Sequence, residues 1–375
     1  MADDRRLRVV IAGGGTGGHL YPGIAVAREW ISRLPETRIS FAGTAGGIEA
    51  RVVPREGFAL DSIRSRGLKG KSIVARVHGM ALLLPSFLDA WRLVSKRRPH
   101  LVIGVGGYSS GPVVLVAALR RVPTMVLEQN VMPGLTNRLL APLVQAAAVT
   151  FESTRTLFGA KAFVSGNPVR PELLQSVERD SACSADEGSP TVRVLVFGGS
   201  QGAHAINVAM VEAAQTLAAR GGALRLTHQT GPRDVELVRA AYQQAGLVAE
   251  VESFYDDMGE KICAADLIVC RAGASTLAEL TAAGKPAILV PLPTATDDHQ
   301  RQNAEALAAA GAAEVLLQSA MTGQTLASRI VALAGDRDGR RRMAAAARAL
   351  ARPDAARVIV DRALELVAGV AYSRA

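Results

Sequence analysis

Five glycines, Gly13, Gly14, Gly15, Gly17 and Gly18, crowd into IAGGGTGGHLYPG at residues 11–23, and His19 closes the run. Glycine lets another molecule approach the backbone closely, at an entropic cost, so the stretch reads as a binding surface made of main chain. Gly13, Gly15 and Gly18 match G-x-G-x-x-G after an apolar strand. A dinucleotide site also needs an acid at the tip of the second strand to hold the ribose. That strand runs SFAGTAGG with no acid at its tip, and Glu49 follows only later, in what reads as the next helix. The P-loop reading fails too, because His19 and Leu20 stand where Lys and Ser or Thr are required. A helix N-terminus remains, whose N–H groups favour an anion or an oxygen-rich group. Its dipole disfavours the imidazolium at His19, leaving a neutral ring able to take a proton. The plain alternative is a histidine that caps the helix or packs beneath the loop.

Three further glycine-rich stretches have the same placement. GVGGYSSGP (104–112) follows a strand and ends on Pro112, a favourable first-turn residue. FGGSQGAHAIN (197–207) offers Ser200 and the N–H groups of Gly199 to Ala203. CRAGASTLAELTAAGKP (270–286) opens a helix with Gly273, Ala274, Ser275 and Thr276, and Glu279 follows. Thr276 and Glu279 have capping-box spacing; the functional alternative is a diphosphate on the N–H groups with Glu279 on a ribose diol. In PTATDDHQRQNAEAL (293–307), Asp297, Asp298, His299, Gln300, Gln302 and Asn303 suit sugar hydroxyls, since amides both donate and accept. A polar loop leading into a solvated helix start is the alternative there.

The elements that position these loops alternate along the chain. Strand-like runs at 7–12, 38–43, 101–106, 124–129 and 146–151 are separated by helical segments, the pattern of a parallel α/β sheet. Residues 178–190, ERDSACSADEGSP, read as a loop or linker. The strand–glycine–helix pattern then restarts at 192–207, with further strands at 223–229, 266–271 and 287–292. Two such openings predict two Rossmann-like domains, with ligands at the carboxyl ends of the strands. The tail from Arg337 is helical, rich in Ala and Arg, with a break at Pro353.

A chain of 375 residues, 49% hydrophobic, has room for two cores. Its three cysteines, Cys183, Cys263 and Cys270, have no zinc-ligand spacing and fit a reducing compartment. No run has the length of a membrane span, and the start lacks the features of a signal peptide. The formal net charge is +9. Much of it lies between Arg64 and Arg98, where Asp89 is the only acid among nine cations and an apolar stretch. That composition suits an anionic membrane surface. Aromatic residues are only 4% of the chain and no nucleic-acid module occurs, which ranks nucleic acid lower. A solvated rim around one core helix is the plain reading.

The motifs GGTGGHLYPG, GGYSSGP, EQNVMPGLTNRLLA, GNPVR, GGSQGA, FYDDM, CRAGASTLAEL and DDHQRQNA occur, in this order, over about residues 7–350. In this the chain resembles the MurG family of peptidoglycan N-acetylglucosaminyltransferases. The resemblance implies a GT-B fold, with two Rossmann-like domains, a deep cleft and a C-terminal helix crossing back to the first domain. It implies an acceptor- and membrane-binding domain at 1–170 with a helix at about 352–375, and a donor domain at 171–351. The implied reaction moves GlcNAc from UDP-GlcNAc to the C4 hydroxyl of MurNAc in lipid I, with inversion, giving lipid II. Another GT-B glycolipid glycosyltransferase or a UDP-sugar epimerase is the alternative. By resemblance, Ser200, Gly273 to Ala278 (Gly273, Ala274, Ser275, Thr276, Leu277 and Ala278) and Glu279 hold the nucleotide. Tyr255 meets uracil through its backbone. Thr16, Gly17, Gly18, Asn130 and Arg170 close on the donor or the acceptor diphosphate. His299-Gln300 stands where some members carry two glutamines, so the contact to the GlcNAc 4-hydroxyl falls to one or the other. His19 is the expected catalytic base, and Gly106, Gly107 and Tyr108 face the acceptor. Lys69, Lys71, Ile73, Arg76, Leu82, Leu83 and Phe87 are expected to dock on the membrane. No metal site or obligatory cofactor is expected, though a divalent ion could stimulate. The expected partners are UDP-GlcNAc, lipid I, anionic lipid and other cell-wall proteins, not nucleic acid. The expected place is the cytoplasmic face of the cell membrane, held peripherally.

Overall fold

The computed structural model describes residues 6–65, 83–183, 191–199, 203–219 and 224–374. It divides into two compact units, Met1–Val169 with Pro353–Ala375, and Arg170–Arg352. The first unit is built on a parallel seven-stranded sheet ordered β3-β2-β1-β4-β5-β6-β7. Its strands are β1 (Arg8–Gly13), β2 (Arg38–Gly43), β3 (Ala59–Ser62), β4 (Leu101–Gly106), β5 (Thr124–Glu128), β6 (Ala146–Val149) and β7 (Ala162–Val164). Its main helices are α1 (Gly17–Arg33), α2 (Glu49–Arg55), α3 (Leu83–Arg97), α4 (Ser110–Leu119) and α5 (Leu135–Leu140).

Strand alternation distributes β1 over two cores. Val9 and Ile11 join Leu20, Ile24 and Trp30 on one face, while Val10 and Ala12 join Val113, Val114 and Val126 on the other. With both faces covered, the strand reads as one continuous apolar run. The sheet order reverses between β1 and β4, the switch point outside whose carboxyl ends a crevice opens in such sheets.

The second unit begins with α6 (Pro171–Cys183), so residues up to 183 of the expected linker are helical. Pro171 at the first helical position and the apolar Leu173 and Leu174 start that helix before the polar run begins. A parallel six-stranded sheet follows, ordered β10-β9-β8-β11-β12-β13. It comprises β8 (Val192–Phe197), β9 (Leu224–Gln229), β10 (Ala249–Glu252), β11 (Leu267–Cys270), β12 (Ala287–Leu289) and β13 (Glu314–Val315). Helices α7 (His204–Ala218), α8 (Val235–Ala245), α9 (Met258–Ala264), α10 (Ala274–Ala283), α11 (His299–Ala309), α12 (Gly323–Gly335) and α13 (Arg337–Ala349) complete it. Its switch point lies between β8 and β11. After Pro353 the chain rejoins the first unit as α14 (Ala355–Arg374), whose Ile359, Val360 and Ala363 are buried in the same core layer as Val9 and Ile11.

Candidate functional site

The first unit brings the loops after β1 and β4 into contact at its switch point. A Cβ on Gly107 would lie 2.4 Å from the Gly14 carbonyl oxygen, so the two backbones touch. Much of the glycine run serves this packing. Glu49, wholly buried at the start of α2, also fills part of the loop. Its Oε2 accepts from the Gly15 N–H at 2.9 Å, and its Oε1 from the Thr44 N–H at 2.8 Å and hydroxyl at 2.7 Å. A Cβ on Gly14, at φ +149°, would stand 2.5 Å from the Glu49 carboxyl carbon. The acid missing from the β2 tip is therefore supplied from α2, but it holds the protein's own loop. Burial pushes its pKa up, but the hydrogen bonds from Gly15 and Thr44 outweigh this and leave the carboxyl below its usual range.

Thr16, the N-cap of α1, makes no side-chain hydrogen bond to the helix backbone. Its Oγ1 lies 3.2 Å from His19 Nδ1 instead. The half-buried His19 ring lies against Gly106, where a Cβ at φ +96° would come within 2.7 Å of Cδ2 and 3.0 Å of Nε2. Only glycine at 106 leaves space for this ring. Thr16, Gly17, Gly18 and His19, at the start of α1, and Gly106, Gly107 and the exposed Tyr108, at the end of β4, thus lie side by side.

The EQNVMPGLTN segment is organised by a residue the sequence reading did not single out. Glu128 ends β5 and is buried. It accepts from the Asn130 N–H and side chain, the Gly134 N–H and the Asn137 side chain at 2.9–3.2 Å. Burial raises its pKa, and these four donors oppose the rise. Asn130 is thereby held at the loop's turn, half-exposed.

In the second unit, α10 (Ala274–Ala283) follows Gly273, an N-cap that makes no side-chain hydrogen bond. Thr276 and Glu279 do not form a capping box. Glu279 lies a turn further on, 9% exposed, and its Oε1 accepts from Arg170 Nε at 2.9 Å. Burial raises the Glu279 pKa, while the Arg170 charge and hydrogen bond pull it down. Ala274, Ser275, Thr276 and Ala278 are half-exposed, whereas the Leu277 side chain is buried. Tyr255 is also buried, its ring 5.0 Å from Lys261 Nζ, so only its main chain suits a ligand contact. Ser200 lies outside the described residues.

Near α11, the Gln300 Oε1 accepts from the Leu292 N–H at 3.0 Å, which fixes the amide and leaves its NH₂ to donate. His299 Nδ1 pairs with the Thr296 carbonyl. Asp297 and Asp298 both take left-handed conformations, φ 53° and 55°. Two adjacent non-glycine residues in that region are strained, a feature associated with functional loops.

Residues 9–149 match the glycosyltransferase family 28 N-terminal domain, and 193–359 match its C-terminal domain. The chain belongs to glycosyltransferase family 28. It is 47% identical, over 96% of its length and 93% of the relative's, to a protein of Anaeromyxobacter sp. (strain K). That protein is named UDP-N-acetylglucosamine--N-acetylmuramyl-(pentapeptide) pyrophosphoryl-undecaprenol N-acetylglucosamine transferase. A Geobacter sulfurreducens protein of the same name is 46% identical, covering 95% of this chain and 97% of its own. The crystal structure of Acinetobacter baumannii MurG superposes with a TM-score of 0.78 at 31% identity, over 96% of this chain and 99% of that one. A UDP-GlcNAc 2-epimerase from Neisseria meningitidis shares the fold, with a TM-score of 0.67 at 14% identity over 96% and 100%.

In this family 28 chain most of the expected membrane residues, Lys69, Lys71, Ile73, Arg76 and Leu82, lie outside the described residues, as does the Leu83 side chain. Phe87 packs against the core. The exposed apolar face of α3 is instead Leu84, Leu88 and Trp91, at 76%, 56% and 51% exposure. Their spacing of four and three residues puts them on one side of the helix. Among the described residues of the basic stretch, Arg64 and Arg92 pair with Asp89, at 2.8 and 3.8 Å, and Arg97 pairs with Asp61 at 2.7 Å. Among the described residues no helix is long and apolar enough to cross a membrane.

Proposed function

We propose that this protein transfers GlcNAc from UDP-GlcNAc to the C4 hydroxyl of MurNAc in lipid I, inverting the anomeric centre and giving lipid II. The observation that carries this reading is the 47% identity, across nearly the whole chain, to a protein named for that transfer. In the reaction, His19 takes the proton of the acceptor hydroxyl. In the tautomer whose Nδ1–H donates to Thr16 Oγ1, Nε2 carries the lone pair that accepts it. The hydroxyl oxygen forms the new bond to the anomeric carbon as the bond to the UDP oxygen breaks. The first N–H groups of α10 and the Arg170 guanidinium meet the charge left on the diphosphate. Glu279 orients the ribose hydroxyls, and the Arg170 charge and hydrogen bond oppose the rise that burial imposes on its carboxyl pKa. This reading requires no divalent ion, and transfer in a chelator tests that.

Gln300 is assigned the GlcNAc 4-hydroxyl, because its amide is fixed with donors to offer. The exposed α3 face and its neighbouring cations are assigned to anionic membrane, where lipid I is presented on the cytoplasmic side. The deciding experiment is transfer of labelled GlcNAc to a short-chain lipid I analogue, with UDP-GalNAc as a parallel donor. Transfer from UDP-GlcNAc alone supports both the reaction and the Gln300 assignment. Transfer from both donors removes that assignment. Transfer from neither, with UDP still bound, shifts the reading to another sugar-nucleotide enzyme of the same fold. His19→Ala is expected to slow transfer roughly 10²–10⁴-fold with UDP affinity unchanged.

A further inference from the structure

The second unit contains a cavity of about 730 Å³ at the end of its sheet opposite the glycine loops. Its walls come from the amino ends of the strands. Val192 and Leu224 begin β8 and β9, while Val248, Ala265–Asp266 and Lys285–Pro286 immediately precede β10, β11 and β12. The loops carrying Gly199, Gly273 to Glu279 and Leu292 leave the opposite, carboxyl ends of the same parallel strands. The two places are therefore at opposite edges of one sheet.

Helix α13 closes the cavity with Arg337, Arg340, Arg341 and Arg348. Their spacing puts all four on one face of the helix, and Ala344, on that same face, leaves space between them. Arg193, Arg225 and Lys285 bring the cations in the lining to seven, against one carboxylate, Asp266. Arg193 already engages Asp266 through both Nε and Nη2, at 3.0 and 2.9 Å. Arg340 is fixed by the Leu333 and Ala334 carbonyls, and Arg348 lies over Gly284, where a Cβ would strike its Cγ at 2.4 Å. These side chains are positioned by the fold. Cations gathered this closely repel one another unless an anion joins them.

We propose that this cavity binds a compound carrying two or more phosphate groups. Its volume lies in the range of small-molecule sites, yet its lining is charged. Arginine forks match phosphate oxygens in pairs. No aromatic ring among the described residues lines the cavity to stack a nucleic-acid base. The same chemistry is offered by a free polyphosphate compound and by an anionic phospholipid headgroup.

The test is calorimetric titration of the full chain with inorganic pyrophosphate, with and without saturating UDP. Pyrophosphate is expected to bind in both conditions. The double variant Arg225→Glu/Arg341→Glu is expected to lose affinity at least tenfold while melting, without pyrophosphate, no lower than wild type. If that variant does not fold, Arg225→Gln, at an exposed strand start, serves with a smaller expected loss. Equal affinity in the variant, full competition by UDP, or the same heat from sulfate at equal ionic strength would each overturn the proposal. The variant decides the question even if UDP itself fails to bind, so this proposal and the transferase reading fail separately. Competition by phosphatidylglycerol vesicles identifies a headgroup as the source; its absence identifies a free phosphate compound.

Discussion

Replacing Glu49 with Gln tests the finding that the first glycine loop is held from within. The two side chains have nearly the same shape, so the change leaves no cavity. If the amide oxygen replaces Oε1 toward Thr44, the amide NH₂ must face the Gly15 N–H, donor against donor. The loss is one unsatisfied N–H together with the charge assistance of two further hydrogen bonds. That amounts to about 2–3 kcal/mol. For a body of this size the midpoint of the first unit should fall by roughly 4–12 °C. The effect has a definite pH dependence. The folded pKa of Glu49 lies below its ordinary value of 4.5, so its contribution is fully present above that value and is lost as pH falls through the folded pKa. Wild type and Glu49→Gln should therefore differ most near neutrality and converge in acid. Thermal melts followed by circular dichroism at neutral and acid pH read this directly. A midpoint unchanged at neutral pH, or a gap that persists unchanged in acid, would refute the assignment.

Arg170→Ala should destabilise the second unit by about 1–3 kcal/mol, because the half-exposed arginine is the counter-charge to a buried carboxylate. Glu279→Gln in that background should recover most of the loss, and non-recovery in a double-mutant cycle would show that the pair is not coupled. Burial pushes the His228 pKa down to about 3 from its ordinary value of 6.5. The second unit should therefore lose about 1.4 kcal/mol per pH unit below that value as the unfolded histidine charges. Denaturant melts of His228→Gln should show a shallower slope over the same range; an identical slope would remove His228 as the cause. Leu88→Ser/Trp91→Ser should weaken cosedimentation with anionic liposomes at least tenfold, since each exposed side chain offers roughly 1.5–3 kcal/mol of burial. Unchanged cosedimentation would place the membrane contact elsewhere.

The two-sheet plan was legible because buried parallel strands announce themselves as unbroken apolar runs, as at Val9–Ala12 and Leu195–Phe197. The edge strands β3, β7, β10 and β13 were not. They are short and half-exposed, and ALDS or AEVE has no apolar signature. The glycine run after β1 does follow a strand and open a helix, but part of it packs the protein's own chain. Nothing local in GGGTGG says that a glutamate 34 residues on will occupy Gly15, or that Gly107 will meet Gly14. Such contacts arise from strand order, which reverses at β1 and β4 and brings distant loops together. The same holds for Arg170 and Glu279, 109 residues apart. Capping-box spacing at Thr276 and Glu279 failed because the helix begins at Ala274, which puts Thr276 inside it and beyond the cap position.

The return of α14 has a consequence for how the protein is made. The core of the first unit is incomplete until Ile359, Val360 and Ala363 arrive, and the Arg33–Asp361 ion pair at 2.7 Å joins the same two helices. The ribosome produces residues 170–352 in between. The first-born sheet must therefore wait, with part of one apolar face uncovered, while the later-born unit has every strand it needs. Domains usually fold in the order of synthesis; here completion runs in reverse, and a premature stop after Arg352 would spare the second unit while leaving the first without its last layer.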